Sequence, residues 1–314
     1  MARRRRRGLA RVSAAYLAAL VAFSGYALLD TFVIERTYAA EAQVTSDKAA
    51  LATDVVLQDQ DASAGADAGA GTQATSQASA ETGVELATYR YEDTTVYVVD
   101  VYAGDASELR AALAKGTYGK NVTATTSDTA EDVDATVAVN GDYYGARNAG
   151  YVVRNGVLYR DVAAASDQED LVIYADGSFD IVCEGEVTAE ELVEAGAWQV
   201  FSFGPGLVDD GELIVGATDE VDQAMASNPR TAIGQVGEGH YVLVVSDGRT
   251  SESEGLTLAQ LAQFMRDELG VTCAYNLDGG GSSTLWYEGE VVNNPTTSGN
   301  SVKERKVSDI VYVA

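Results

Sequence analysis

The sequence predicts an α+β fold, with a mixed, mostly antiparallel β-sheet body and a few helices, preceded by an N-terminal transmembrane helix and a flexible stalk. Three observations predict it. Asx-Gly pairs recur between short apolar runs, at Asn155-Gly156, Asp176-Gly177 and Asp210-Gly211, and such pairs favour the tight turns of antiparallel hairpins. Two segments, opening at Thr188 and Thr257, carry Glu or Gln three residues after the threonine, which is the capping box of a helix start. Finally, 46% hydrophobic and 22% charged residues over 314 positions are enough to bury a sizeable core. The expected organisation is a cytoplasmic arginine run and anchor over 1–41, a disordered stalk over 42–83 and one folded body over 84–314.

The anchor is expected from the five arginines Arg3 to Arg7, ahead of a stretch from Ser13 to Ile34 that is almost wholly apolar and broken mainly by Asp30. About 20 apolar residues span a bilayer, and flanking arginines stay in the cytoplasm, so the rest of the chain is expected outside. Cleavage near Ala40-Glu41-Ala42, releasing a secreted body, is the alternative. From Ala42 to Gly83 the chain is Ala, Ser, Thr, Gln, Asp and Gly with few large apolar residues, a composition that buries too little area to offset the entropy of ordering.

With 48 acidic and 21 basic residues the formal charge is −27. Such a field repels nucleic acid and anionic lipid, so nucleic acid is not an expected partner, and an anionic substrate must be met by locally clustered arginines. Cys183 and Cys273 both lie in apolar runs, and their pairing is left open by the sequence. There is no CxxC or Cys/His spacing and only one histidine, His240, so neither metal nor cofactor is expected.

Along the body, Thr95 to Tyr102 reads as a strand and Ala106 to Ala114 as a helix, followed by a polar loop. Ala135 to Val139 is a buried strand that delivers Asn140, Gly141 and Asp142 into a turn. The hairpins then follow, about Asn155-Gly156, Asp176-Gly177 and Asp210-Gly211, with the short Thr188 helix between them. Pro229 sets the entry to a strand at Arg230-Thr231-Ala232-Ile233-Gly234, which pins a guanidinium where apolar residues begin. Tyr241 to Val245 is the next strand and ends in Ser246-Asp247-Gly248-Arg249. The Thr257 to Leu269 helix places Leu258, Leu261, Ala262, Met265 and Leu269 on one face. It returns the chain to the strand Thr272 to Leu277.

That strand runs into Asn276-Leu277-Asp278-Gly279-Gly280-Gly281-Ser282-Ser283-Thr284. Three glycines contribute nothing to a core and lose the most backbone entropy on folding, so bare backbone is expected to serve a ligand's approach, with free amides facing an anion. A tight turn with an Asp cap is the alternative. This tract, together with Pro229 to Gly234, Asn140-Gly141 and Glu304-Arg305 before the last strand (Val307 to Val313), resembles the phosphodiester glycosidase family, the N-acetylglucosamine-1-phosphodiester alpha-N-acetylglucosaminidase-like domain. The resemblance covers roughly Ala135 to Val313. Asp142 departs from the small residue the family carries there.

The resemblance implies a hydrolase that cleaves the bond between a sugar's anomeric carbon and a phosphodiester, with a glycan or sugar-phosphate as substrate. The leaving phosphate monoester is a stable anion, so the chemistry asks for cations on the phosphate, a carboxylate at the anomeric carbon and donors on sugar hydroxyls. Asp278, with Asp142 and Glu304, supplies candidate catalytic carboxylates. Asn140, Gly141, Arg230, Thr231, Arg249, Asn276, Gly279, Gly280, Gly281, Ser282 and Arg305 are the expected substrate-binding residues. Two alternatives come from other classes. One is a silent glycan-binding module, and the other a metal-assisted phosphodiesterase with a cation on Asp142, Asp278 and Glu304.

Overall fold

The computed structural model describes residues 2–38, 83–104, 106–216, 227–297 and 301–314. In chain order, helix α1 (Ala2–Phe32) and strand β1 (Arg36–Thr37) come first. The body opens with β2 (Gly83–Tyr91), β3 (Thr94–Tyr102), β4 (Arg110–Leu113), β5 (Gly119–Lys120), α2 (Thr126–Asp132) and β6 (Val137–Asn140). Then come β7 (Val152–Arg154), β8 (Val157–Arg160), β9 (Glu169–Tyr174), β10 (Phe179–Cys183), α3 (Ala189–Glu194), β11 (Ala197–Phe201), β12 (Gly206–Asp209) and β13 (Glu212–Leu213). The chain continues through β14 (Arg230–Gly237), β15 (His240–Ser246), α4 (Leu258–Asp267), β16 (Cys273–Asn276), β17 (Leu285–Tyr287), β18 (Glu290–Val291) and β19 (Asp309–Val313).

Hairpin chemistry organises these strands. Asn155 and Gly156 have φ of 52° and 73°, and Asp210 and Gly211 have 46° and 77°, the paired left-handed residues of a tight two-residue turn. A seven-stranded sheet runs β13-β12-β16-β14-β15-β3-β2, and two five-stranded sheets run β10-β9-β11-β7-β8 and β18-β17-β6-β19-β4. The body is mostly β with few helices, as expected. Every strand pair in these sheets is antiparallel, however, so the parallel component of the expected mixed sheet is not found.

Strand alternation builds two cores from one sheet. Val99, Val101, Tyr241, Leu243 and Val245 face the central core, shared with Val137, Val139 and Val311 of one five-stranded sheet and Leu171, Ile173 and Phe201 of the other. Their neighbours Val96, Val98, Val242 and Val244 point the opposite way, onto Leu258, Leu261, Ala262, Phe264 and Met265 of α4. Helix α4 is therefore core, as its apolar stripe predicts, and both capping boxes form.

Two expectations are corrected, and a third is not confirmed. Residues Ala106 to Ala114 do not form one helix, since only Ala106–Glu108 makes a single 3-10 turn before a strand. Arg110–Leu113 is strand β4, because Ala111 pairs with Val311 and the Asn155 side chain bonds both the amide and the carbonyl of Ala111. The polar loop before β6 holds α2, whose start is capped by Thr125 Oγ1 on the Asp128 amide at 3.1 Å. The N-terminal stretch is a helix, α1, yet among the described residues no helix is long and apolar enough to cross a membrane.

The end of α1 lies against the body. Lys115 Nζ pairs with Glu35 at 2.6 Å, and Asn121 Nδ2 donates to the carbonyls of Asp30 and Ile34. The stalk expectation falls largely on residues 39–82, outside the described residues. Cys183 and Cys273 are free thiols, and burial pushes Cys273 up to about 12.

Candidate functional site

The site forms where strand ends from two sheets meet. β14 pairs with β16 in the register Ala232 to Asn276, which sets Arg230 and Thr231 beside Leu277 and Asp278. β6 pairs with β19 in the register Asn140 to Ile310, bringing Gly141 onto Asp309. One side chain joins the two sheets. Asn140 Nδ2 donates to the Asp278 carbonyl at 2.6 Å, and Asn140 Oδ1 accepts from Thr231 Oγ1 at 2.8 Å and from the Thr284 amide at 3.3 Å. Asn140 is fully buried, so it orders the Asp278 turn from beneath.

The Asp278 carboxylate itself is held by charged and neutral donors. Ser282 Oγ donates to Oδ2 at 2.7 Å, and Arg305 Nη2 donates to Oδ2 at 2.8 Å and to Oδ1 at 3.0 Å. Arg305 Nε donates to Ser282 Oγ at 2.8 Å, which closes the triangle. The Arg305 side chain is 41% exposed and that of Asp278 10%, so the carboxylate is nearly buried beneath a guanidinium that reaches solvent. Nη1 of Arg305 makes no hydrogen bond among the described residues.

A second cation stands across the glycine tract. Arg249, at φ 61°, donates to Asn228 Oδ1 at 2.9 and 3.1 Å and to the carbonyls of Thr296 and Thr297 at 3.2 and 3.0 Å, with no carboxylate among these acceptors. Burial, and then the charge of Arg305, hold it below the ordinary arginine range. Two guanidiniums whose charges oppose each other beside one carboxylate make a place suited to an anion. Arg230 is buried, with Nε on the Leu256 carbonyl at 2.8 Å, and its main chain lies against Gly279.

Close packing requires the three glycines. A Cβ on Gly279 would lie 3.0 Å from the Pro229 carbonyl oxygen, on Gly280 2.9 Å from Arg249 Nη2, and on Gly281 2.8 Å from Thr297 Cα. Gly280 also has φ of 63°. The amides of Gly280, Ser282 and Ser283 donate to the carbonyls of Pro229, Gly279 and Gly280, so they do not face an anion. The bare backbone lets Arg249 and the neighbouring loop close on the turn. Along the same tract Asn276 Oδ1, Ser283 Oγ and Thr284 Oγ1 are buried without a hydrogen-bond partner, and unsatisfied groups of this kind concentrate where function uses them.

The three candidate carboxylates are not brought together. Asp142 is 1% exposed and pairs with Arg154 at 2.8 Å, while also accepting from the amides of Tyr144 and Ser202. Glu304 accepts from Ser127 Oγ at 2.6 Å and from the Ser127 amide at 3.1 Å, at the start of α2. Among the described residues no three His, Cys, Asp or Glu side chains are grouped to hold a metal. Asn276 directs Nδ2 to the Gly204 carbonyl at 2.7 Å, behind the turn.

Sequence reasoning missed the layer below. Arg154, at the end of β7, is fully buried between Asp142 and Asp309, with Nε on Asp309 Oδ2 at 2.7 Å. Burial pushes the Asp309 carboxyl up to about 7 against the pull of Arg154, and Asp142 adds to the rise. Asp309 Oδ1 has no hydrogen-bond partner and lies where a Cβ on Gly141 would fall, so only glycine fits there. The available signal was an arginine inside the apolar run Val152-Val153-Arg154, which a buried strand tolerates only when its charge is matched.

Comparison with known proteins places the chain in a family. The chain is 35% identical over 147 residues to the SPbeta prophage-derived uncharacterized protein YomE of Bacillus subtilis, covering 46% of this chain and 23% of that one. It is 28% identical over 190 residues to the N-acetylglucosamine-1-phosphodiester alpha-N-acetylglucosaminidase of Mus musculus, covering 55% of this chain and 36% of the mouse protein. The chain thus spans only 23% and 36% of the length of these relatives. Among solved structures, the zebrafish catalytic domain of that enzyme, auto-inhibited by its pro-peptide, aligns with a TM-score of 0.58 at 21% identity, over 77% of this chain and 85% of the other, which shows a shared fold. The phosphodiester glycosidase family model matches residues 134–314, the stretch that carries Asn140, Arg249, Asp278 and Arg305, and the chain belongs to that family.

Proposed function

We propose that the chain is a hydrolase that cleaves the bond between a sugar's anomeric carbon and a phosphodiester, of the N-acetylglucosamine-1-phosphodiester type, and that it acts outside the cytoplasm in cell-surface or exopolysaccharide metabolism. The observation that carries the reading is one carboxylate, Asp278, oriented by Ser282 and Arg305, with Arg249 close enough to feel the charge of Arg305. In this reading the two guanidiniums take the phosphate. Asp278 faces the anomeric carbon, where it stabilises the oxocarbenium-like charge or activates water. A departing phosphate monoester is already a stable anion, so charge neutralisation by arginine replaces much of the work of a protonated acid. Asn140 and the Asp142–Arg154–Asp309 layer keep the turn in place and do not touch substrate.

The test is release of phosphate monoester from a panel of sugar-1-phosphodiesters by the full chain and by Asp278→Asn. The variant preserves volume, and its turnover is expected to fall by about 10²–10⁴-fold with little change in melting temperature. Near-normal turnover by a folded Asp278→Asn protein would remove Asp278 from the chemistry. Affinity for these substrates without release by the wild type would identify a binding module.

A further inference from the structure

Beside β5 lies a cavity of about 390 Å³ to which none of the side chains that orient Asp278 contributes. Its walls include Tyr38, Tyr118, Tyr159, Lys120, Arg147 and Arg160. Tyr118 is the centre of the aromatic wall, with Tyr159 at 4.9 Å, Tyr38 at 6.2 Å and the deeply buried Tyr144 stacked behind it at 5.2 Å. Tyr118 and Tyr144 are used up in packing, whereas Tyr38 is 49% exposed and Tyr159 half-buried. Both rings line the cavity.

Among the described residues the three cations have no carboxylate partner. Arg160 donates to the carbonyls of Gly150, Tyr144 and Arg147, at 2.5, 3.1 and 3.0 Å. Arg147 reaches only the Ser202 carbonyl, at 3.4 Å, and lies over the Phe203 ring at 5.3 Å. Lys120 makes no hydrogen bond or ion pair among the described residues. The carboxylate whose field reaches Tyr118, Asp142, is already committed to Arg154. In a chain of net charge −27, a cluster of three cations without an acidic partner is the exception, and a half-buried uncompensated cluster calls for an anion.

We propose that this cavity is a second saccharide site, for a sugar that carries a phosphate or a carboxylate. The ring stacks on Tyr38 and Tyr159, and the anion meets Lys120, Arg147 and Arg160. The volume suits one sugar unit and its anion. No carboxylate lines the cavity, so its role is to bind, and the proposal does not depend on the reaction assigned to Asp278.

Calorimetric titration of the full chain with glucose 6-phosphate, glucuronate, inorganic phosphate and glucose tests it. At least one of the anionic sugars should bind roughly tenfold or more tightly than both glucose and inorganic phosphate, and the one that leads identifies the anion. Lys120→Gln combined with Arg147→Gln should weaken that sugar by about tenfold or more with the melting temperature unchanged, while Asp278→Asn should bind it as the wild type does. Should the double variant melt early, Lys120→Gln alone, which breaks no hydrogen bond or ion pair among the described residues, is expected to weaken binding about threefold or more. Equal binding of glucose, no binding of either anionic sugar at roughly millimolar concentration, full affinity in the Lys120 variants, or loss in Asp278→Asn would each overturn the proposal.

Discussion

Arg305 and Asp278 illustrate how an ion pair is read at the scale of the residue. With the Arg305 side chain 41% exposed, the pair is worth at most about 1 kcal/mol of stability, so its importance lies in orientation. Arg305 supplies Nε to Ser282 and Nη2 to both oxygens of Asp278 and to the Gly279 carbonyl, a planar fork that lysine cannot reproduce. Arg305→Lys is therefore expected to lower kcat/KM on a sugar-1-phosphodiester by about tenfold to a hundredfold while melting within a few degrees of the wild type. Kinetics beside thermal melting checks this. An unchanged kcat/KM would show that the fork is not needed. Arg154 is the opposite case, because it is fully buried between two carboxylates, and removing it leaves both uncompensated.

At the scale of the element, the sheet β10-β9-β11-β7-β8 carries an acidic pair beneath the site. Asp170 on β9 is fully buried opposite Val182 and beside Glu184, which accepts from the Tyr151 amide and Ser202 Oγ. Burial, and then Glu184, push Asp170 up to about 9. A carboxyl whose pKa is raised on folding holds a proton in the native state that the unfolded chain has released. Stability is therefore lost as pH rises from about 4, the unfolded value, to about 9, at up to about 1.4 kcal/mol per pH unit. Asp170→Asn should remove that slope, which urea unfolding at a series of pH values between about 5 and 8 would show. Parallel slopes for the two proteins would mean that Asp170 is ionised in the fold. β4 makes a second point at this scale: a stretch whose local pattern reads as helix becomes strand because β19 and the Asn155 side chain satisfy its backbone.

At the scale of the whole molecule, the proposed extracytoplasmic location rests on the arginine run and the apolar stretch to Ile34. Protease added to intact expressing cells should degrade the body while a cytoplasmic marker survives. Survival of both would place the body inside. The same field of −27 that argues against nucleic acid makes the two cation clusters, Arg249 with Arg305 and Lys120 with Arg147 and Arg160, stand out as places where an anion gains most.

The sequence by itself determined the hairpins, both capping boxes, the α4 stripe and the strand ending at Asp278, because each is set by residues within a few positions of one another. It also picked out Asn140, Thr231, Arg249, Ser282 and Arg305, which the structure gathers about one turn. Tertiary structure alone decided which carboxylate meets the arginines. Asp142, Asp278 and Glu304 are alike in sequence, but Asp142 is buried on Arg154, Glu304 is spent on the Ser127 amide and hydroxyl, and Asp278 is held by Ser282 and Arg305. It alone decided the role of the glycines and the cation cluster at Tyr118. Those depend on groups more than a dozen residues apart brought into contact, and the energy of such contacts is not written in any local pattern.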